Sequence, residues 1–198
     1  ALCDSGLPDP DVCDVSRLPP KEGATAVAEA WARGRWLLGL LVLQSTSSFV
    51  LDAYAPLLRD HLVITLFLTM LVGAGGNAGN QSAIHVIRGL ATGSITTAPA
   101  SVRATLARQA AVGALLAAGL AAGGYARVFA STGSAHDAAA ISASLAAIVL
   151  ASVVVGSALP FALARAGVDP ANAGTSVQVV MDILGCVITC VTCQAVLG

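Results

Sequence analysis

The sequence predicts an all-α membrane protein with five transmembrane helices, and three observations carry that prediction. Of the 198 residues, 56% are apolar and only 11% are charged, whereas soluble domains carry about a quarter charged residues. Five tracts reach the length of about 20 mainly apolar residues that a helix needs to cross a bilayer. The charges are also segregated: Asp4, Asp9, Asp11, Asp14, Glu22 and Glu29 all precede Trp31, and the long apolar tracts beyond are nearly free of charge. Aromatic residues make up only 4%, and the apolar mass is mostly Ala, Leu and Val. Such side chains suit close helix contact in lipid better than the filling of a water-soluble core. A net charge of −1 leaves no basic footprint for nucleic acid.

Residues 1–35 read as a polar, irregular N-terminal segment, with Pro8, Pro10, Pro19 and Pro20 set among acids. The segment lacks the basic start and apolar centre of a signal peptide. A chain opening on Ala1 suggests processing or trimming, and a removed organelle-targeting segment would be one source. Cys3 and Cys13 are free to pair, although nothing in the sequence requires it. Residues 36–198 form the membrane domain. Its first span runs from Trp36 to about Leu58, with Trp31 and Trp36 as interfacial anchors. The second begins at Leu62 and continues towards Ile87. The third covers about Ala104–Ala126, the fourth Ala138–Leu163 and the fifth Thr175–Leu197.

Five spans place the termini on opposite sides. With the N-terminus inside, the inner segments hold Arg17, Lys21, Arg33, Arg35, Arg88, Arg103, Arg108 and Arg165, leaving only Arg59 and Arg127 outside. That bias fits the positive-inside rule. The chain thus reads as a multi-pass integral protein, its N-terminus on a cytoplasmic, stromal or matrix side. Gly119 and Gly123 make a small-xxx-small pair in the third span, a signal for close backbone approach.

Two features do not belong in an inert bundle. The run Gly73-Ala74-Gly75-Gly76-Asn77-Ala78-Gly79-Asn80-Gln81-Ser82 falls within the second span. Glycine destabilises helix interiors, and amides at lipid depth must find partners, so the second helix is expected to be interrupted there. Transporters place ion sites at such discontinuities. The second feature is Asp182, the one acid deep within a span. An unpaired carboxylate at mid-bilayer costs about 2.5 to 3.5 kcal/mol on insertion scales. No Arg or Lys lies in the fifth span to offset it, so it should face water, bind a cation or carry a proton.

Together these elements resemble the membrane domain of the MgtE-type magnesium channels. The resemblance rests on Gly75-Gly76-Asn77-Ala78-Gly79-Asn80-Gln81, then Arg88-Gly89-Leu90-Ala91-Thr92-Gly93, Pro160, Asp169-Pro170-Ala171 and Asp182-Ile183-Leu184-Gly185, in the family's order over about residues 35–198. It implies a five-helix domain acting as a homodimer, with a pore between subunits lined by the second and fifth helices. It makes Asp182 the ion-site carboxylate, with Gly75, Gly76, Asn77, Gly79, Asn80, Gln81 and Gly185 as pore or filter positions and Mg2+ as the transported ion. A hard cation that keeps its waters suits two carboxylates acting through a hydration shell. Bacterial members carry a large regulatory region before the membrane domain. Here only about 35 residues stand in its place, which implies either different regulation or a cut precursor.

The chain departs from the pattern in one chemical respect. Asp182, Cys186, Cys190 and Cys193 recur on one face of the fifth helix. Thiolates would favour a soft metal. With no His in that helix, the preferred reading is cysteine as a small packing residue. His85, just past the glycine run, reads as a packing or hydrogen-bonded residue. The sequence therefore favours a divalent-cation channel or transporter. The alternative is a structural membrane subunit that keeps the fold within a larger complex. Enzyme function is discounted, because the spans offer no His or second acid to accompany a nucleophile.

Overall fold

A computed structural model describes residues 25–198, of which Ala32 is described in its backbone only. The proline-rich stretch, Cys3, Cys13, Arg17 and Lys21 therefore lie outside the described residues. The chain divides after Gly39 into two units. The described part of the first is exposed helix, with an ion pair between Glu29 and Arg33 one turn apart.

Helix α1 spans Ala26–Ser45, so helix begins well before the expected start at Trp36. Two short helices follow it, α2 (Ser47–Ala53) and α3 (Ala55–Asp60). The interruption at Thr46 lies in the run Gln44-Ser45-Thr46-Ser47-Ser48. There Ser45, Thr46 and Ser48 each turn their hydroxyl onto the carbonyl three residues back. Such local bonds compete with the helical ladder. Tyr54 closes α2, and Pro56 sits in the first turn of α3, where a missing N–H costs nothing.

Four long helices follow: α4 (Leu62–Thr92), α5 (Pro99–Thr132), α6 (Ala135–Arg165) and α7 (Ala173–Leu197). Among the described residues, five helical segments are long and apolar enough to cross a membrane: 26–53, 62–92, 99–132, 135–165 and 170–197. The fold class expected from sequence is thus present. Left-handed glycines Gly93 and Gly133 close α4 and α5, the usual device for stopping a helix without a Cβ clash. Ser134 caps α6 by accepting from the Asp137 amide.

Helix α6 is the centre of the bundle and packs against α4, α5 and α7. Ile141, Ile148, Val149 and Val153 are fully buried, together with Ile64, Leu71, Val177 and Met181 from its neighbours. A helix apolar all round belongs in such a position. Pro160 lies inside α6 without ending it. Helix α5 packs chiefly on α6 through Gly113, Ala117, Gly124 and Val128. Gly119 and Gly123 face open space, so the close approach falls on Gly113 against Val153 and Gly124 against Leu145 instead.

The expected break in the second span is absent: α4 runs unbroken through Gly73–Ser82. The missing side chains are replaced by neighbouring helices. Gly75 and Gly79 on α4 lie against Ser152 and Gly156 on α6, so that a Cβ on Gly156 would strike the Gly79 backbone. Ser152 donates its hydroxyl to the Gly75 carbonyl, a bond made across the two helices. These two small-xxx-small pairs bring the backbones together, and the buried contact offsets the weak helix propensity of glycine.

Candidate functional site: a carboxylate cleft

Asp182 sits in the second turn of the apolar stretch of α7, half-buried rather than sealed. Both of its oxygens are occupied. Oδ1 accepts from Gln178 Nε2 at 2.9 Å, and Oδ2 accepts from Gln44 Nε2 at 2.5 Å. Gln178 is one helical turn before Asp182, the spacing at which side chains meet on a helix face. Gln44 arrives from the last turn of α1, immediately before the interruption at Thr46. A carboxylate only accepts hydrogen bonds, so both amides must present their NH2 groups to it, leaving their carbonyl oxygens available as further acceptors.

A cleft of about 350 Å³ opens beside this triad, lined also by Ser47, Thr69, Gly73 and Cys186. Among the described residues, no basic side chain lines it. Asp182 is held by neutral donors, and the cleft offers oxygen from a carboxylate, two carboxamides and two hydroxyls. Hard cations prefer that donor set. Among the described residues no group of three or more His, Cys, Asp or Glu is placed to hold a metal ion.

The expected filter residues divide by role. Gly76 is buried, and the space its Cβ would occupy is filled by the Gln178 carboxamide, so Gly76 is what allows Gln178 to lie beside Asp182. Gly185 receives Val72 at 3.1 Å from its would-be Cβ and lets α4 and α7 close together. Gly75 and Gly79 serve the α4–α6 contact. Asn77 and Gln81 are exposed, and neither they nor Asn80 line the Asp182 cleft. The Asn80 carboxamide oxygen instead lies against Gly174, at 3.0 Å from its would-be Cβ.

Sequence reasoning missed Gln44, Gln178, Ser47 and Thr69, and held Gly73 only as the start of the glycine run. Gln178 was marked by its spacing from Asp182. Gln44 was marked only as an amide within an apolar span, which must find a partner somewhere. The cysteines follow the packing reading. Cys190 and Cys193 are fully buried, with Cys193 Sγ 3.6 Å from Ser144 Oγ on α6, while Cys186 borders the cleft. His85 is exposed and lies in a different pocket, with Arg88 and Arg108.

Among the described residues, an all-helical bundle with five helices long and apolar enough to cross a bilayer defines the class, a polytopic membrane protein. The particular family follows from sequence comparison. Residues 68–192 match the family model MgtE, described as a divalent cation transporter, and the chain belongs to that family. It is 33% identical over 166 residues to the magnesium transporter MgtE of Thermus thermophilus, covering 83% of this chain and 36% of that protein. Similarity to the magnesium transporter MgtE of Enterococcus faecalis is 31% over 87 residues, which is 44% of this chain and 18% of that protein. The chain thus spans about a third or less of the length of these relatives.

Proposed function

We propose that the chain conducts Mg2+ across its membrane, with the hydrated ion held at Asp182 in a pore formed between two copies. One observation carries the proposal: a carboxylate on an apolar helix, oriented by two carboxamides, faces a cleft that contains oxygen donors and, among the described residues, no basic side chain. Mg2+ is small and sheds water reluctantly, so it is typically bound by one or two carboxylates through a retained hydration shell. Two copies would supply two such carboxylates.

The exposed amides support the pairing. Thr69, Gly73, Asn77 and Gln81 follow one another at intervals of four on α4, and Asn77 and Gln81 are exposed in a single chain. Facing lipid, such amides would be left without hydrogen bonds. Facing a second copy across a water-filled path, they are solvated. In this reading the end of the bundle carrying Arg88, Arg103, Arg108 and Arg165 faces the cytoplasm, stroma or matrix.

The test is Mg2+ entry into liposomes holding the purified chain, compared with Asp182→Asn. The substitution removes the charge while keeping size, and replaces one of the two acceptor oxygens by an NH2; flux is expected to fall to the level of empty liposomes. Parent-like flux in the variant would remove Asp182 from the ion path. Absence of flux from a folded parent would favour the alternative, a structural subunit that retains the fold.

A further inference from the structure

A second pocket, separate from the Asp182 cleft, lies between α4 and α5. It encloses about 490 Å³ and is lined by His85, Arg88, Thr92, Ser101, Thr105 and Arg108, among others. Among the described residues no carboxylate lines it, so none of them neutralises its two guanidinium groups within the pocket. Gln109, a buried polar residue of α5, contributes to the floor. The connecting loop is held in place. Gly93 turns the chain in the left-handed conformation, the Ile95 amide donates to the Gly89 carbonyl at 2.9 Å, and the Ile95 side chain covers Gly89. The pocket is therefore a built feature and not a gap between loose ends.

Its depth can be read from the helices themselves. The helical rise places Arg108 about 28 Å from Arg127 along α5, with no charged residue between them. Arg127 lies over the Phe67 ring of α4 at 5.6 Å, and Phe67 is in turn about 31 Å from Arg88 along α4. Both helices thus measure off the thickness of a hydrocarbon core, about 30 Å. One boundary falls at Arg127 and Phe67 and the other at Arg88 and Arg108. The basic pocket therefore lies where phospholipid headgroups lie. Below Arg108 on the same face of α5, Val112, Leu115 and Leu116 are exposed apolar residues positioned to meet acyl chains.

From this geometry we infer that the α4–α5 pocket binds the headgroup of an anionic phospholipid. Arg88 and Arg108 hold the phosphate, and hydroxyls of Thr92, Ser101 and Thr105 take its remaining oxygens or the headgroup alcohol. Guanidinium forks match phosphate oxygens in pairs, and basic pockets between spans at an inner membrane surface are a recurring form of lipid recognition. The inference is independent of ion conduction.

The test is native mass spectrometry of the full chain in neutral detergent, with phosphatidylglycerol or phosphatidylcholine added. Phosphatidylglycerol should be retained in preference. Arg88→Gln combined with Arg108→Gln should cut that retention about thirtyfold, given about 1 kcal/mol for each basic group at a membrane surface. Arg59→Gln, near the opposite boundary, should leave it unchanged. Equal retention of the two lipids, or parent-like retention by the double variant, overturns the site. Displacement of the lipid by millimolar inorganic phosphate overturns the lipid assignment in favour of a soluble phosphate. If the double variant does not fold, the two single variants carry the same test, and parent-like retention in both overturns the proposal.

Discussion

Helix α4 contains Gly73, Gly75, Gly76, Gly79 and Gly89 and is unbroken over Leu62–Thr92, whereas the stretch from Leu40 to Asp60 contains no glycine and is interrupted twice. The difference lies in what meets each backbone. In α4, Ile148, Ser152, Val177 and Gln178 occupy the volume that side chains would have filled, so the helix is supported from outside. Around Thr46, no residue of α2 is buried, and the serine and threonine hydroxyls take carbonyls that would otherwise accept only backbone amides. Helix continuity in this protein follows packing and side-chain competition more than intrinsic propensity. The consequence for function is direct. The unbroken helix supplies the socket for Gln178, and the interrupted one delivers Gln44 and Ser47 to the same carboxylate.

The strongest way to break the comparison is to remove the room that α4 and α6 share. Gly156→Val would drive a branched side chain into the Gly79 backbone, which cannot move aside as a flexible side-chain end can. Overpacking of this kind costs about 3 kcal/mol, occasionally more. Loss of the folded species is expected in thermal unfolding of the detergent-solubilised protein. Gly73→Ala is the matched control, because nothing lies within 4 Å of its would-be Cβ. If both variants unfold alike, the glycines act through backbone flexibility and the packing account fails.

A smaller effect is expected where a glycine makes room for a side chain. In Gly76→Ala the added methyl meets only the end of Gln178, which can rotate away. Stability should change little, while Gln178 is displaced from Asp182. Hydrogen bonds to charged groups contribute about 1.5–3 kcal/mol each. Mg2+ flux should therefore fall about tenfold in Gly76→Ala, and by a similar factor in Gln178→Ala, with unfolding temperatures near the parent's. Normal flux in both variants would separate the carboxamides from the ion site.

These two glycines also mark the limit of what the sequence makes legible. Apolar length and charge segregation give the five spans, because bilayer thickness imposes them on any helix. Asp182 stands out for the same reason, as a charge where charge is costly. The glycine run does not announce its role. Composition records that Gly75, Gly76 and Gly79 are weak helix formers, but the residues that compensate lie 73 or more positions further along the chain, on α6 and α7. Gln44 escapes for a similar reason: its partner Asp182 is 138 positions away, and only the fold joins them. Gln178, one turn from Asp182, needed no fold to be found.

Gly119 and Gly123 give the smallest expected effect and the sharpest reading of the second copy. Both have open space where a Cβ would stand, in contrast to Gly113 and Gly124 on the buried side of the same helix. In a single chain, replacing either by Ala should stabilise α5 by up to about 1 kcal/mol through propensity alone. Cross-linking and size-exclusion profiles of the reconstituted protein should be unaltered if that face meets only lipid. Should Gly119→Ala combined with Gly123→Ala instead weaken self-association while each chain remains folded, α5 would lie in the contact between copies. The proposed pair of copies would then be held by its third span as well as by the helices that carry the Asp182 cleft.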